Sequence, residues 1–153
     1  MSKTYIRLDK INHADPLESA VAKEVLKNGQ FVDLGVALDD AEGEAVEATK
    51  AKEGKRPDAV MASVFIDYGE LNWDITEQEL DAGKAGRAVL LKKGHIYSLN
   101  AEIAKGVKKG DNVTVGKDGL GLKKATESDE IIGTVIREDY LNFIGDLVVI
   151  RIK

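Results

Sequence analysis

Apolar and polar positions alternate along this chain in short runs, each bounded by a polar turn that often carries glycine. A period of two is the signature of half-buried strands. One such run is written twice. Leu26-Lys27-Asn28-Gly29-Gln30-Phe31-Val32-Asp33-Leu34-Gly35 is matched by Val107-Lys108-Lys109-Gly110-Asp111-Asn112-Val113-Thr114-Val115-Gly116. Gly29 falls on Gly110, Gly35 on Gly116, and Val32 and Leu34 on Val113 and Val115. Further blocks follow in the same order. Ala48-Thr49 pairs with Ala125-Thr126, Ala62-Ser63-Val64 with Gly133-Thr134-Val135, Tyr68 and Leu71-Asn72-Trp73 with Tyr140-Leu141-Asn142-Phe143, and residues 86–91 with 145–150. The spacing falls from 81 to 59 along the way, so the first copy carries the insertions. Two units are too few for a solenoid and predict one closed β fold with an approximate internal two-fold.

The alternation predicts strands over Phe31 to Val36, Glu44 to Lys50, Ala59 to Ile66, Gly86 to Leu91 and His95 to Leu99. The second unit adds strands near 112–115, 120–125, 131–136 and 146–152. Ala59 to Ile66 is apolar on both faces, which predicts burial on both. Helical signals are few. Asp15-Pro16-Leu17-Glu18 has an N-cap, a Pro at N1 and a Glu at N3, and Leu17, Ala20, Val21 and Val25 follow at helical spacing. The matching stretch of the second unit lacks that pattern, so a short helix or a loop is expected here. Thr76-Glu77-Gln78-Glu79 has capping-box spacing, with Gly83 closing one or two turns. In residues 1–14, Tyr5, Ile6, Leu8 and Ile11 are interrupted by charge, and an extended N-terminal arm is expected. The fold class that results is mainly β: a small β-barrel or β-sandwich of two pseudo-repeated units, about 26–91 and 107–152, within one domain over 15–153, with one or two short helices and the N-terminal arm.

Length adds that 153 residues suit one domain with a sizeable core. Only eight residues are aromatic, so aliphatic side chains must fill that core. A net charge of −5 argues against a sequence-independent grip on nucleic acid and against docking to an anionic membrane. Cysteine is absent, which excludes disulfides, thiolate metal sites and cysteine nucleophiles. No signal-peptide pattern opens the chain and no apolar run approaches the roughly 18 residues of a membrane span. A soluble protein made in a cytoplasm is expected.

Candidate chemistry is sparse. Gly116-Lys117-Asp118-Gly119-Leu120-Gly121 resembles a phosphate loop in composition, but the residues behind it read as a strand, so a hairpin turn is expected. Asp39, Asp40, Glu42 and Glu44 lack the spacing of an EF-hand loop and read as a solvated hairpin tip. His13 and His95 are the only histidines and share no ligand spacing. Ser98, three residues after His95 on a strand, points to the opposite face and makes a poor nucleophile–base pair. Trp73 reads equally as core or as interface anchor. Lys52, Lys55 and Arg56, opposed by Glu53 and Asp58, read as a solvated loop. No catalytic, cofactor or metal constellation is expected.

The Lys-x-Gly-x-x-Val turn, the hairpin with Ala125-Thr126, the strand Ile131 to Ile136 and the closing run Gly145-Asp146-Leu147-Val148-Val149-Ile150 resemble the small β proteins that decorate tailed-bacteriophage capsids, also called cement or head-stabilising proteins. The resemblance is best over Ala101 to Lys153 and weaker over Asn28 to Leu99. The insert at residues 50–58 and the Asp15-Pro16 segment depart from the pattern. The resemblance implies a non-enzymatic structural protein on the capsid exterior of a virion, with the phage's major capsid protein as partner and other copies of the chain as further candidates. The N-terminal residues Tyr5, Ile6, Leu8 and Ile11 are then expected to touch the capsid or a neighbour. The competing readings are a ligand-binding or enzymatic β-barrel, recognisable by a pocket with convergent polar groups, and, with the acidic charge against it, a swapped-hairpin transcription regulator.

Overall fold

The structure, a computed structural model, describes residues 3–11, 17–39, 45–63 and 74–153. The described residues hold thirteen strands. The first half holds β1 (Ile6–Lys10), β2 (Leu17–Val21), β3 (Leu26–Lys27), β4 (Phe31–Ala37), β5 (Ala45–Lys50), β6 (Ala59–Met61), β7 (Glu79–Leu80) and β8 (Ala85–Leu90). The second holds β9 (Ile96–Asn100), β10 (Asn112–Val115), β11 (Leu122–Lys124), β12 (Gly133–Leu141) and β13 (Gly145–Ile152). Strands β2-β5-β4-β6-β8 close into a barrel, β1-β9-β13-β12-β10-β11 form an open six-stranded sheet, and β3 and β7 make a two-stranded ladder. The chain is therefore mainly β and barrel-based, as its alternation predicts.

Five strands of each half pair in the same order. β4 pairs antiparallel with β5 and β6, and β10 pairs in the same way with β11 and β12. β8 lies between β6 and β2, as β13 lies between β12 and β9. The entry turns match bond for bond. Gly29 N donates to Met61 O at 3.0 Å and Gly110 N to Val135 O at 2.9 Å. Both glycines hold a positive φ, +82° and +90°, which side-chain-bearing residues rarely adopt. Lys27 N is bound by the Gln30 side chain as Lys108 N is bound by Asp111. Gly35 and Gly116 differ: Gly35 lies where the β4–β5 register shifts, whereas Gly116 ends β10.

Side-chain size separates the halves. Inside the closed barrel Ala20, Ala48, Ala59 and Ala88 pack with Val32 and Met61. The register places Leu99, Leu122 and Ile150 of the second half at the positions of Ala20, Ala48 and Ala88. Five strands enclose little space, so only small side chains allow β2 and β5 to meet and close the ring. The open sheet keeps its larger side chains in a second core. That core is shared with the outward faces of the barrel strands, through Phe31, Val60 and Val89. Ala59, Val60 and Met61 are accordingly buried on both faces.

Three expectations are corrected. Leu17–Val21 is strand β2, not helix: pairing with β5 and β8 and the burial of Ala20 outweigh helix propensity. Residues 12–16, including Asp15-Pro16, lie outside the described residues. The turn near Thr76 is a single 3-10 turn, Ile75–Glu77, and its cap is Asp74, whose Oδ1 accepts from Thr76 N at 2.8 Å. The backbone then enters β7 instead of continuing the helix. Finally, Tyr5, Ile6, Leu8 and Ile11 do not form a detached arm. β1 pairs with β9 from Ile6↔Leu99 to Lys10↔Ile96, and Ile6, Leu8 and Ile11 pack against the shared core.

The Gly116–Gly121 stretch is a hairpin turn joining β10 to β11 through a 3-10 turn at Lys117–Gly119. Gly121 donates its N–H to Gly29 O at 3.2 Å, tying the two halves together. Its φ is +67°, and an added Cβ would lie 1.8 Å from the Ile103 carbonyl oxygen. Gly121→Ala is therefore expected to cost roughly 2–4 kcal/mol, since backbone must move on both sides. Thermal melting of the variant measures this, and an unchanged midpoint would contradict the close approach.

Candidate surface for a protein partner

The feature that departs furthest from ordinary packing is the β12–β13 hairpin. Its ladder runs from Gly133↔Ile152 to Leu141↔Gly145. At its tip Ile144 N donates to Leu141 O at 3.1 Å, closing a tight turn over Leu141-Asn142-Phe143-Ile144. Phe143 occupies the third position with φ +71°, where glycine or asparagine is favoured. A left-handed aromatic residue costs about 1 kcal/mol or more. Among the described residues no packing offsets it, because Phe143 is 98% exposed, and Tyr140 nearby is 64% exposed. A residue that is both strained and unpacked fits a role in contact with something else. Glu138 and Asp146 flank the tip and are exposed.

Two pairs back from this tip, at Asp139, a polar network fixes β1. Arg7 binds Asp9 and Ser98, and its guanidinium reaches Asp139 Oδ2 on β12 at 3.1 Å. Ser98, fully buried, donates to Asp9. Asp139 sits below the usual carboxylate range, first because it accepts the Tyr140 N–H and second because of Arg7. A lowered folded-state value means that the contribution of Asp139 is fully present at neutral pH. It is lost only as the pH falls from the ordinary carboxylate value, near 4, through that lowered value.

A groove of about 810 Å³ lies where the halves meet. Val25 and Leu120 supply apolar surface over buried Ile103, and Lys50, Lys105 and Lys117 line the groove together with Glu102 and Asp118. Lys27 and Lys123, also in the lining, are paired with Glu79 and with Glu53 and Asp129. The groove is broad and open, and its polar groups are chiefly the ends of long charged side chains.

The other candidate residues fall apart from one another. His95 is buried, with Nδ1 2.7 Å from the Tyr97 hydroxyl and the two rings edge to face. Ser98 is held by Arg7 and Asp9. Among the described residues no group of three histidine or acidic side chains gathers into metal-binding geometry. His13, Trp73 and most of the acidic tip, Asp40 to Glu44, lie outside the described residues. Lys52, Lys55 and Arg56 are exposed, and the loop docks on the second half through Arg56 N to Glu130 Oε2 at 2.6 Å. Tyr5 is half-buried, its N–H bound by Asn100 Oδ1 at 3.0 Å. No helix of the described residues is long and apolar enough to cross a membrane.

Sequence reasoning passed over the hairpin tip and the groove. The tip did leave a trace, a phenylalanine within a strand-to-strand turn ending in Gly145. The groove left none, since its lysines come from distant segments. Comparison with known proteins finds no matching family model and no matching curated relative. Among solved structures the chain is similar in fold to the head fiber gp8.5 N base in bacteriophage phi29, at a TM-score of 0.58 and 20% identity, covering 90% of this chain and 93% of that one.

Proposed function

We propose that this chain is a non-enzymatic structural protein of a tailed-phage virion, bound to the outer surface of the assembled head and stabilising it. The observation that carries the reading is the fold likeness to a head-fiber base, which spans nearly the whole of both chains. The pattern resemblance to capsid decoration proteins points the same way. Mechanism then requires no chemistry. A protein that binds the mature lattice better than free or immature shell subunits shifts the assembly equilibrium by that difference in affinity. The major capsid protein is the expected partner. Ile6, Leu8 and Ile11 already pack on the chain's own core, so a neighbour meeting this region would meet the outer edge of β1 and Tyr5.

The test is co-sedimentation with mature heads assembled without this protein, across a dilution series. Saturable retention on expanded heads, with weaker retention on unexpanded ones, is the expected result. Absence of retention on both would overturn the reading. A ligand-binding barrel gains no support from the barrel interior, which is filled by alanine, valine and methionine side chains.

A further inference from the structure

We propose that Asn28 is a modification site that the fold keeps closed. Its side chain latches the exit of β6, and deamidation at Asn28-Gly29, available when the latch opens, removes it for good. Asn28-Gly29 is the one asparagine–glycine step in the sequence. In an open chain such a step deamidates readily, because glycine has no Cβ to hinder attack by its own backbone nitrogen. In the folded chain both reacting groups are held. Asn28 Nδ2 donates to Ser63 O at 2.7 Å, and Asn28 Oδ1 accepts from Ser63 N at 2.9 Å. The Gly29 N–H donates to Met61 O at 3.0 Å. Asn28, Gly29 and Ser63 are all buried. Asn28 Cγ cannot turn toward Gly29 N until both bonds to Ser63 part. Base cannot take the Gly29 proton until the bond to Met61 opens.

The second half shows that the turn itself needs no amide side chain. Gly110 makes the same turn, its N–H donating to Val135 O, with exposed Lys109 in the place of Asn28. Asn28 therefore serves Ser63. The same exit is held from β8, where Arg87 N donates to Ser63 Oγ at 2.7 Å and Arg87 Nε to Ala62 O at 3.0 Å. Deamidation needs only water and base. Gly29 N gives up its proton and bonds to Asn28 Cγ, the Cγ–Nδ2 bond breaks, and ammonia leaves carrying that proton. Water then opens the succinimide ring at either carbonyl, leaving aspartate or isoaspartate at position 28. Aspartate sets a buried carboxylate oxygen against Ser63 O, where the amide donated. Isoaspartate lengthens the backbone by one carbon beside Gly29, whose φ is +82°. The inference concerns the chain alone and does not depend on the proposed function.

The experiment incubates the purified chain at mildly alkaline pH, in buffer and in denaturant, with the folded state followed by circular dichroism. Peptide mapping with an isoaspartate assay reads position 28. Deamidation is expected to be at least about tenfold slower in buffer than in denaturant. Equal rates would overturn the proposal. Asn28→Asp is expected to melt roughly 5 °C or more below wild type at neutral pH. Burial and the facing carbonyl raise the folded-state pKa of a carboxyl at this position. The gap to wild type is therefore full above that raised value and closes as pH falls below the ordinary carboxylate value, about 4. Asn28→Ala removes the amide without adding charge, and is expected to melt below wild type by a gap that does not change with pH. Lys109→Ala, at the matching turn, is expected to melt with the wild type. If Asn28→Asp does not fold at neutral pH, Asn28→Ala carries the test of the latch. Wild-type melting by either Asn28 variant at neutral pH, or a loss in Lys109→Ala equal to that in Asn28→Ala, would also overturn the proposal.

Discussion

A chain carrying Ile150→Asp is expected to be unfolded or aggregated at room temperature. Ile150 is fully buried in β13, between Val135 of β12 and Tyr97 of β9, at the centre of the shared core. The substitution removes about 2–3 kcal/mol of apolar burial. It also places a carboxylate where Val135, Tyr97 and Leu99 offer no cation. Burying that charge, or protonating it to avoid burial, adds several kcal/mol more. Against a total stability of roughly 5–15 kcal/mol for a domain, the sum removes most or all of the folded population. Arg151→Asp is the control, since Arg151 is the next residue on the same strand and is exposed. It is expected to change stability by no more than about 0.5 kcal/mol. Circular-dichroism melting and soluble yield check both. An Ile150→Asp chain that melts cooperatively near the wild-type temperature would contradict the placement of the core.

Deleting residues 2–11 is expected to lower the melting temperature by about 10 °C or more. This reverses what a free arm implies, namely that the barrel would melt as before. Ile6, Leu8 and Ile11 are each half-buried on the shared core, worth about 1 kcal/mol apiece. The deletion leaves the β9 edge without its ladder. It also leaves Asn100 without Tyr5 N and Lys3 O, and buried Ser98 without Asp9 and Arg7. Unpaired buried polar groups add about 1–3 kcal/mol each. A total of about 5 kcal/mol or more corresponds to such a shift for a chain of this size. A truncated chain that melts with the wild type would show that β1 contributes little to the fold.

Much of the strand pattern was legible because alternation and turn glycines state it locally. β10 falls on 112–115 as read, and Gly29 and Gly110 make the same turn in the two halves. Beyond those turns the sequence blocks slip. Ala59, not Ala62, shares the place of Gly133, three residues earlier, because the blocks were matched on residue likeness and the strands are aligned by which face is buried. The kinship of β2 with β9 was invisible: alanine in a closed ring and leucine in an open sheet answer to different volumes. β1 was hidden by its charges. Ile6-Arg7-Leu8-Asp9 alternates as a strand should, but Arg7 and Asp9 find their partners on strands 89 to 132 residues away, which no local window contains. The groove was illegible for the same reason.

The pairing of Ile6 with Leu99 also sets a clock on the ribosome. At the usual rate of synthesis, about 5–20 residues per second, β9 follows β1 by roughly 5–20 s. Through that interval Ile6, Leu8 and Ile11 have left the ribosome and have no sheet to join. The barrel strands β2, β4, β5, β6 and β8 are synthesised in the meantime and can close without them. Strand β1 is therefore made before the barrel and placed after it, and the charges of Arg7, Asp9 and Lys10 favour solubility of the strand while it waits.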